Sequence, residues 1–334
     1  MREPLLLNDA TIASSLQVTY GVSAAEIEFL PLGYDNHAAV YRVTAIDGQL
    51  YFLKARRNRG DPLTILIPRF LQEQGNLQVV APLPTLTGEL WGQANDCMLL
   101  LYPFIEGQSG WTIPLSDDQW VEYGAIVRQI HDTRLSPALH SALPAETFVP
   151  HARHRSFIEQ VQAEVRRHAY DHPIEQRFAA FWLDHCDEIQ AMMSRADFLG
   201  RTLQARPPPF VLCHNDIHPG NLLATPSGNL FVVDWDQPLL APKERDLMLV
   251  MNEPGIDRFL QGYGPIELDL WSLAYVYYAR LVEDLGEFAE LIFFMDVCDD
   301  TKQIWTTTCM GLFKAGGWVE AAHKLYDRLP LGEG

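Results

Sequence analysis

His214-Asn215-Asp216-Ile217-His218-Pro219-Gly220-Asn221, followed by Asp234-Trp235-Asp236, decides how this chain is read. The run supplies a carboxylate at Asp216 and, five residues on, the amide of Asn221; a second carboxylate, Asp234, follows thirteen residues later. Phe210-Val211-Leu212-Cys213 precedes the first part and Leu230-Phe231-Val232-Val233 the second, and both are short apolar runs of strand type. Two strands therefore deliver three oxygen-bearing side chains to one edge. The plainer alternative is that Asp216 and Asn221 are turn-formers at a strand end, where Asx turns are common.

Phosphoryl transfer from a nucleoside triphosphate needs such a set. One carboxylate receives the proton of the acceptor hydroxyl, and an amide with a second carboxylate holds Mg²⁺. The spacing matches the kinase pattern H-x-D-x-x-x-x-N followed by an Asp that opens a D-F-G-like turn. Upstream, Gln49-Leu50-Tyr51-Phe52-Leu53-Lys54 reads as a strand ending in lysine, with the hairpin signal Asp47-Gly48 before it and Ala39 to Thr44 as its partner. A lysine on the third strand of a small antiparallel sheet is where a kinase fold contacts the α- and β-phosphates; taken alone, it is also an ordinary edge-strand lysine. The preceding turn, Leu32-Gly33-Tyr34-Asp35-Asn36-His37-Ala38, lacks a G-x-G-x-x-G pattern. Gly33 and Asn36 are its candidates for bringing backbone N–H groups to phosphates, with a plain hairpin turn as the alternative.

With these pieces in order, the chain resembles the aminoglycoside phosphotransferase family, small-molecule kinases with a protein-kinase-like fold. The segments carrying the resemblance are Val211 to His218, Val233 to Pro238, and Leu240-Ala241-Pro242-Lys243-Glu244-Arg245-Asp246-Leu247-Met248. Tyr102-Pro103-Phe104-Ile105, Leu53-Lys54, Arg128-Gln129-Ile130-His131 and Tyr263-Gly264 add to it. The resemblance implies an α+β, bilobal, protein-kinase-like fold, with a small β-rich N-lobe and a larger, mainly helical C-lobe. It implies Asp216 as catalytic base, Asn221 and Asp234 as Mg²⁺ ligands, Lys54 on the ATP phosphates, and backbone groups near Tyr102, Phe104 and Ile105 facing adenine. It favours as acceptor a cationic aminocyclitol or aminoglycoside such as spectinomycin. A metabolic kinase for choline, homoserine or a sugar, and a nucleotide-binding pseudokinase, are the alternatives. One departure stands out: the helix after Lys54, expected over about Leu63 to Gln74, has no acid in its middle to pair with the lysine, and Pro68 is expected to disturb its interior.

The net charge of −18 disfavours nucleic acid and anionic membrane surfaces and favours a cationic partner; acidity for solubility alone is the competing explanation. The acidic stretch from Glu253 to Asp300 is interleaved with aromatics, and both attract ammonium groups. Asp236, Glu283 and Asp284 are its candidates, with the adjoining motif, for acceptor contact. A hydrophobic content of 48% in 334 residues fits a globular protein. No apolar run approaches membrane-spanning length, Met1-Arg2-Glu3-Pro4 opens no signal-peptide pattern, and the five cysteines lack C-x-x-C spacing. These point to a reduced, cytoplasmic enzyme, expected as a monomer or weak dimer. His151, His154, His168 and His172 lack partners in zinc spacing. His131 reads as a core histidine, and His214 as a brace for its loop.

The expected division is a nucleotide-binding lobe over 1–103, ending at the hinge Tyr102-Pro103-Phe104, and a catalytic and acceptor-binding lobe over 104–334. Periodicity predicts an opening helix from Asn8 to Tyr20 and strands near Ile27 to Leu30, Val79 to Leu83 and Cys97 to Leu101. Ser116-Asp117-Asp118-Gln119 predicts a capping box. Helices are predicted over Ser156 to His168, Ile174 to Met193 and most of the chain after Asp246.

Overall fold

Alternating apolar residues and two turn signals build the N-terminal sheet, on which the site is assembled. The computed structural model describes residues 7–31, 38–57, 60–150, 152–167 and 170–330. Helix α1 (Asp9–Tyr20) is capped by Asn8, whose Oδ1 accepts the Thr11 N–H at 2.8 Å. Strands β1 (Ala24–Leu30), β2 (Ala38–Ala45) and β3 (Leu50–Arg56) follow. Between β2 and β3, Gly48 takes a left-handed φ of 86° while Asp47 Oδ1 accepts the Gln49 N–H at 3.0 Å. Helix α2 (Leu63–Glu73) and strands β4 (Gly92–Ala94) and β5 (Cys97–Pro103) complete an antiparallel sheet of order β1-β2-β3-β5-β4.

The two-residue period sorts the sheet's faces. Tyr41, Val43, Leu53, Ala55, Leu99 and Leu101 are buried in one cluster with Ile12, Leu16 and Tyr20 of α1, and the Tyr20 hydroxyl donates to the Leu99 carbonyl at 2.9 Å. The other face pairs Val40 with Lys54, Lys54 with Leu100, Phe52 with Tyr102 and Arg56 with Met98. Helix α2 continues past Pro68 to Glu73 rather than ending there. Its buried Leu63, Ile65, Ile67 and Leu71 hold it, Ile65 packing on Met98 and Leu100. That burial offsets the roughly 3 kcal/mol that an interior proline costs a helix. The strand expected near Val79 to Leu83 does not form. Val79 makes an isolated parallel bridge to Val232, and Leu83 donates to the Leu101 carbonyl at 2.7 Å; Pro82 and Pro84 have no N–H to extend a ladder.

The rest is mostly helical. In chain order it comprises β6 (Gln108–Ser109), α3 (Asp117–His131), α4 (Pro137–Ala142), α5 (Ala152–Glu164), α6 (Pro173–Asp184), α7 (Cys186–Ala205), β7 (Val211–Cys213), β8 (Leu222–Ala224), β9 (Leu230–Val232), β10 (Leu239–Ala241), α8 (Glu244–Leu247), α9 (Ile256–Tyr263), α10 (Leu270–Phe293), α11 (Asp299–Leu312) and α12 (Trp318–Asp327). The fold is thus the expected α+β arrangement of an antiparallel N-terminal sheet and a mainly helical remainder. The capping box at Ser116 and Gln119 forms. The single helix expected over Ile174 to Met193 is two, α6 and α7, divided at His185, which leaves helical backbone at φ −112° and ψ 7°.

The chain forms two compact units. One comprises Met1–Pro144, Val211–Leu240 and Leu249–Ile266; the other Ala145–Phe210, Ala241–Met248 and Glu267–Gly334. In the first, α3 and α9 cross so closely that a Cβ on Gly124 would lie 1.9 Å from the Phe259 carbonyl oxygen, and one on Gly262 1.8 Å from that of Val121. In the second, α10 is buried on nearly every side and packs on α5, α7 and α12. Among the described residues no helix is long and apolar enough to cross a membrane.

Candidate functional site

The site is built within the first unit. Strand β7 ends at Cys213 and hands the chain to His214, which is fully buried. Its Nε2 donates to the Val233 carbonyl at 3.0 Å, and its Nδ1 accepts the Asp216 N–H at 3.3 Å. Those two bonds set the imidazole tautomer and join the Asp216 loop to the segment after β9. The ring braces the loop, and Trp235 packs on it at 4.4 Å between centroids. Asn215 holds a left-handed φ of 77°, which asparagine tolerates better than most residues. From α3, the Tyr123 hydroxyl donates to the Ile217 carbonyl.

A single 3₁₀ turn, Pro219–Asn221, brings the amide back to the carboxylate. Asn221 Nδ2 donates to the Asp216 carbonyl at 2.8 Å and approaches Asp216 Oδ2 at 3.4 Å, while its backbone oxygen accepts the Val233 N–H at 3.0 Å. The side-chain nitrogen is thereby committed to the loop, and the amide oxygen is left as that group's acceptor. Asp234, two residues after β9, holds a left-handed φ of 66°.

Lys54 Nζ lies 3.2 Å from Asp236 Oδ1 and 3.3 Å from Oδ2. The lysine's counter-ion, missing from α2, comes instead from the segment after β9. Asp236, a candidate acceptor contact in the sequence, is thus engaged by Lys54. Glu283 and Asp284 lie on α10 of the second unit. Glu283 meets the buried Arg245 guanidinium at 2.9 Å, and Asp284 meets Arg280 at 2.9 Å one helical turn away. Both carboxylates are held in ion pairs.

A cavity of about 730 Å³ gathers Lys54, Asn221, Asp234 and Asp236 with Tyr102, Phe104 and Ile105. Val40, Phe52 and Leu100 give it an apolar sheet-side wall. Asp216 is not among its lining residues and reaches the cavity's edge through Asn221. Gly33 and Asn36 lie outside the described residues. Arg56, which the strand period carries to the same face as Lys54, also lines the cavity; that alternation is the signal that could have found it. His131 is a core residue, its Nδ1 2.8 Å from the Tyr263 hydroxyl.

The electrostatics follow from crowding acids in an enclosed space. The Asp234 carboxyl is pushed above the usual range, first by enclosure and then by Asp236, while Lys54 and His214 pull it down. Its surface stays open to water in the cavity, so the enclosure is that of surrounding protein rather than direct contact burial. The Tyr102 phenol is pushed up by enclosure and by Asp236. Two oxygen donors, Asn221 and Asp234, line the same cavity and fit a hard divalent cation, which would relieve the repulsion between Asp234 and Asp236.

Comparison with known proteins agrees with this geometry. The model of the phosphotransferase enzyme family matches residues 26–290. The chain belongs to that family. Spectinomycin phosphotransferase, in its structure with ADP and spectinomycin, is 27% identical at a TM-score of 0.87, over 96% of this chain and 99% of that one. Its AMP-bound structure gives 26% identity and a TM-score of 0.82 over 95% and 98%. An aminoglycoside phosphotransferase from Alicyclobacillus acidocaldarius, at 14% identity and a TM-score of 0.62 over 98% and 97%, shares the fold. No curated protein matches the sequence.

Proposed function

We propose that this family member is an ATP-dependent O-phosphotransferase whose acceptor is a small hydroxylated cation, an aminocyclitol or aminoglycoside such as spectinomycin. The observation that carries the reading is the convergence of Lys54, Asn221, Asp234 and Asp236 in one cavity, with Asp216 tied to Asn221 at its edge. In this reading Tyr102 to Ile105 face adenine and Lys54 supports the α- and β-phosphates. Asn221 and Asp234 hold Mg²⁺, which supplies charge neutralisation for the phosphoryl group in transit. Asp216 orients the acceptor hydroxyl and takes its proton. Residues 1–103 serve as the nucleotide-binding lobe and 104–334 as the catalytic and acceptor-binding lobe of a cytoplasmic monomer or weak dimer.

Two features support this reading. Spectinomycin phosphotransferase resembles the chain over almost its full length and carries ADP and spectinomycin. The pseudokinase alternative drew on the missing α2 acid, and Asp236 provides the lysine's counter-ion. The test is Asp216→Asn. Turnover should fall about 10²- to 10⁴-fold, the usual worth of a general base, with Mg-ATP affinity by calorimetry near the parent value. A screen of ATP consumption against spectinomycin, other aminocyclitols, choline, homoserine and sugars names the acceptor. Near-parental turnover in the variant refutes the role of Asp216.

A further inference from the structure

Beside Asp216 stands a histidine that the reading above does not use. His218 Nε2 lies 3.5 Å from Asp216 Oδ2, and its side chain is 18% exposed. The ring lies flat against the Trp111 indole, with centroids 4.1 Å apart and planes 11° apart. Trp111 is itself 69% exposed, so the stack is not an ordinary core contact. Two backbone bonds fix the strand end that carries it: the Gly110 N–H donates to the Pro219 carbonyl at 2.9 Å and to that of Leu222 at 3.1 Å. Gly220 makes the room. A Cβ there would lie 2.6 Å from Trp111 Cε3 and 2.8 Å from His218 Cε1.

The polar surroundings of the ring are one-sided. His218 Nδ1 is buried without a hydrogen-bond partner among the described residues. No competing hydrogen bond on that side turns Nε2 away from Asp216. The half-buried Glu253 carboxyl is pushed up by enclosure and drawn back in part by His218. Asn221 Nδ2 and His218 Nε2 approach the same carboxylate oxygen, Asp216 Oδ2. Two nitrogens, at 3.4 and 3.5 Å from one oxygen, favour one orientation of the carboxylate plane, and so one direction in which Oδ1 is presented. Loss of such orientation is expensive, since a displacement of about 1 Å at a reacting group can cost about 100-fold in rate.

We infer that His218, clamped by Trp111, is a positioning residue that holds the Asp216 carboxylate in its working orientation. The inference rests on the reading of Asp216 as the base. It assigns roles to two residues: the histidine as a donor to Oδ2, and the indole as the plate that keeps the imidazole from rotating. The glycine in the loop is then required because any side chain would lift the plate.

The test compares His218→Phe, which keeps a flat ring on Trp111 but no donor, with His218→Gln, which places a nitrogen donor near the Nε2 position. Turnover is read as ADP release from Mg-ATP, with water alone and with spectinomycin as acceptor. The expected result is a kcat loss of about 10- to 100-fold in the Phe variant, with the KM for Mg-ATP within about twofold, and recovery of most of that loss in the Gln variant. Trp111→Ala should lower kcat in the same direction by a smaller factor. If the Phe variant does not fold, His218→Leu takes its place. A parental kcat in the Phe variant, equal losses in Phe and Gln, or a rise in the Mg-ATP KM matching the loss in kcat overturns the inference. Asp216→Asn separates the two readings. If it keeps turnover, the base assignment fails; if it abolishes turnover while His218→Phe changes nothing, only the positioning role fails.

Discussion

Gly124→Ala gives the sharpest test of how the first unit supports the loop that carries Asp216. Helix propensity alone predicts stabilisation of about 1 kcal/mol, because alanine is the better helix former. The contact with α9 predicts the opposite. A methyl on Gly124 would sit 1.9 Å from the Phe259 carbonyl oxygen and 2.7 Å from the Tyr263 nitrogen. Both are backbone atoms, which no rotamer change can move aside. To bring the methyl to an ordinary 3.4 Å, α3 and α9 must part by about 1.5 Å. Overpacking on that scale costs about 3 kcal/mol or more, so the steric effect wins, leaving a net loss of about 2 kcal/mol. In a unit of about 190 residues this lowers Tm by roughly 4–8 °C. Turnover should fall as well, because the neighbouring Tyr123 hydroxyl holds the Ile217 carbonyl beside Asp216. Gly262→Ala enters the same gap, so the double variant should lose less than the sum of the two. Gly220→Ala is the control: its methyl meets the side chains of Trp111 and His218 rather than backbone, and its melting temperature should stay within about 2 °C of the parent. Calorimetry of the three variants decides the matter, and a Gly124→Ala protein melting at or above the parent temperature refutes the packing argument.

Asp234→Asn should stabilise the protein in the absence of Mg²⁺. A carboxyl whose folded pKa is raised destabilises the fold above that pKa, and the penalty fades as pH falls through it. The gain in Tm over the parent should therefore be full at neutral pH and above and shrink as pH falls into the carboxylate range. Saturating Mg-ATP, worth about 2.7 kcal/mol at a hundred times Kd, should stabilise the parent more than the variant; a variant less stable than the parent in chelator at neutral pH counts against the assignment. The −18 net charge predicts that the KM of a cationic acceptor rises with salt, since exposed charge attraction is screened over about 10 Å at 0.1 M. A neutral sugar measured beside it should show no change, and a best acceptor that is neutral or anionic would favour a metabolic kinase.

The parts legible in the sequence were those set by local rules. The strand carrying Lys54 (which runs on to Arg56), the Asp47-Gly48 turn, the caps at Asn8 and Ser116, and the carboxylate–amide spacing of Asp216 and Asn221 each follow from a few neighbouring residues. What stayed hidden depends on partners far along the chain. The counter-ion of Lys54 is Asp236, and no helical period on α2 could have revealed it. Trp111 meets His218 only because β6 and the turn at Pro219 run together. The apparent strand at Val79 to Leu83 had the composition of a strand, but its prolines have no N–H for a ladder. Pro68 misled in the other direction, since a local penalty was outweighed by the burial of Ile65, Ile67 and Leu71.

The pairing of Lys54 with Asp236 also sets a schedule. The two residues are 182 positions apart. At a synthesis rate of roughly 5–20 residues per second, about 10–40 s pass on the ribosome between their appearances. During that interval the sheet must hold by its own apolar contacts, Ile12, Leu16 and Tyr20 against Leu53, Leu99 and Leu101, with the Lys54 ammonium facing water. The complete cavity, with Asn221, Asp234 and Asp236 in its lining, therefore exists only in a chain already translated past Asp236.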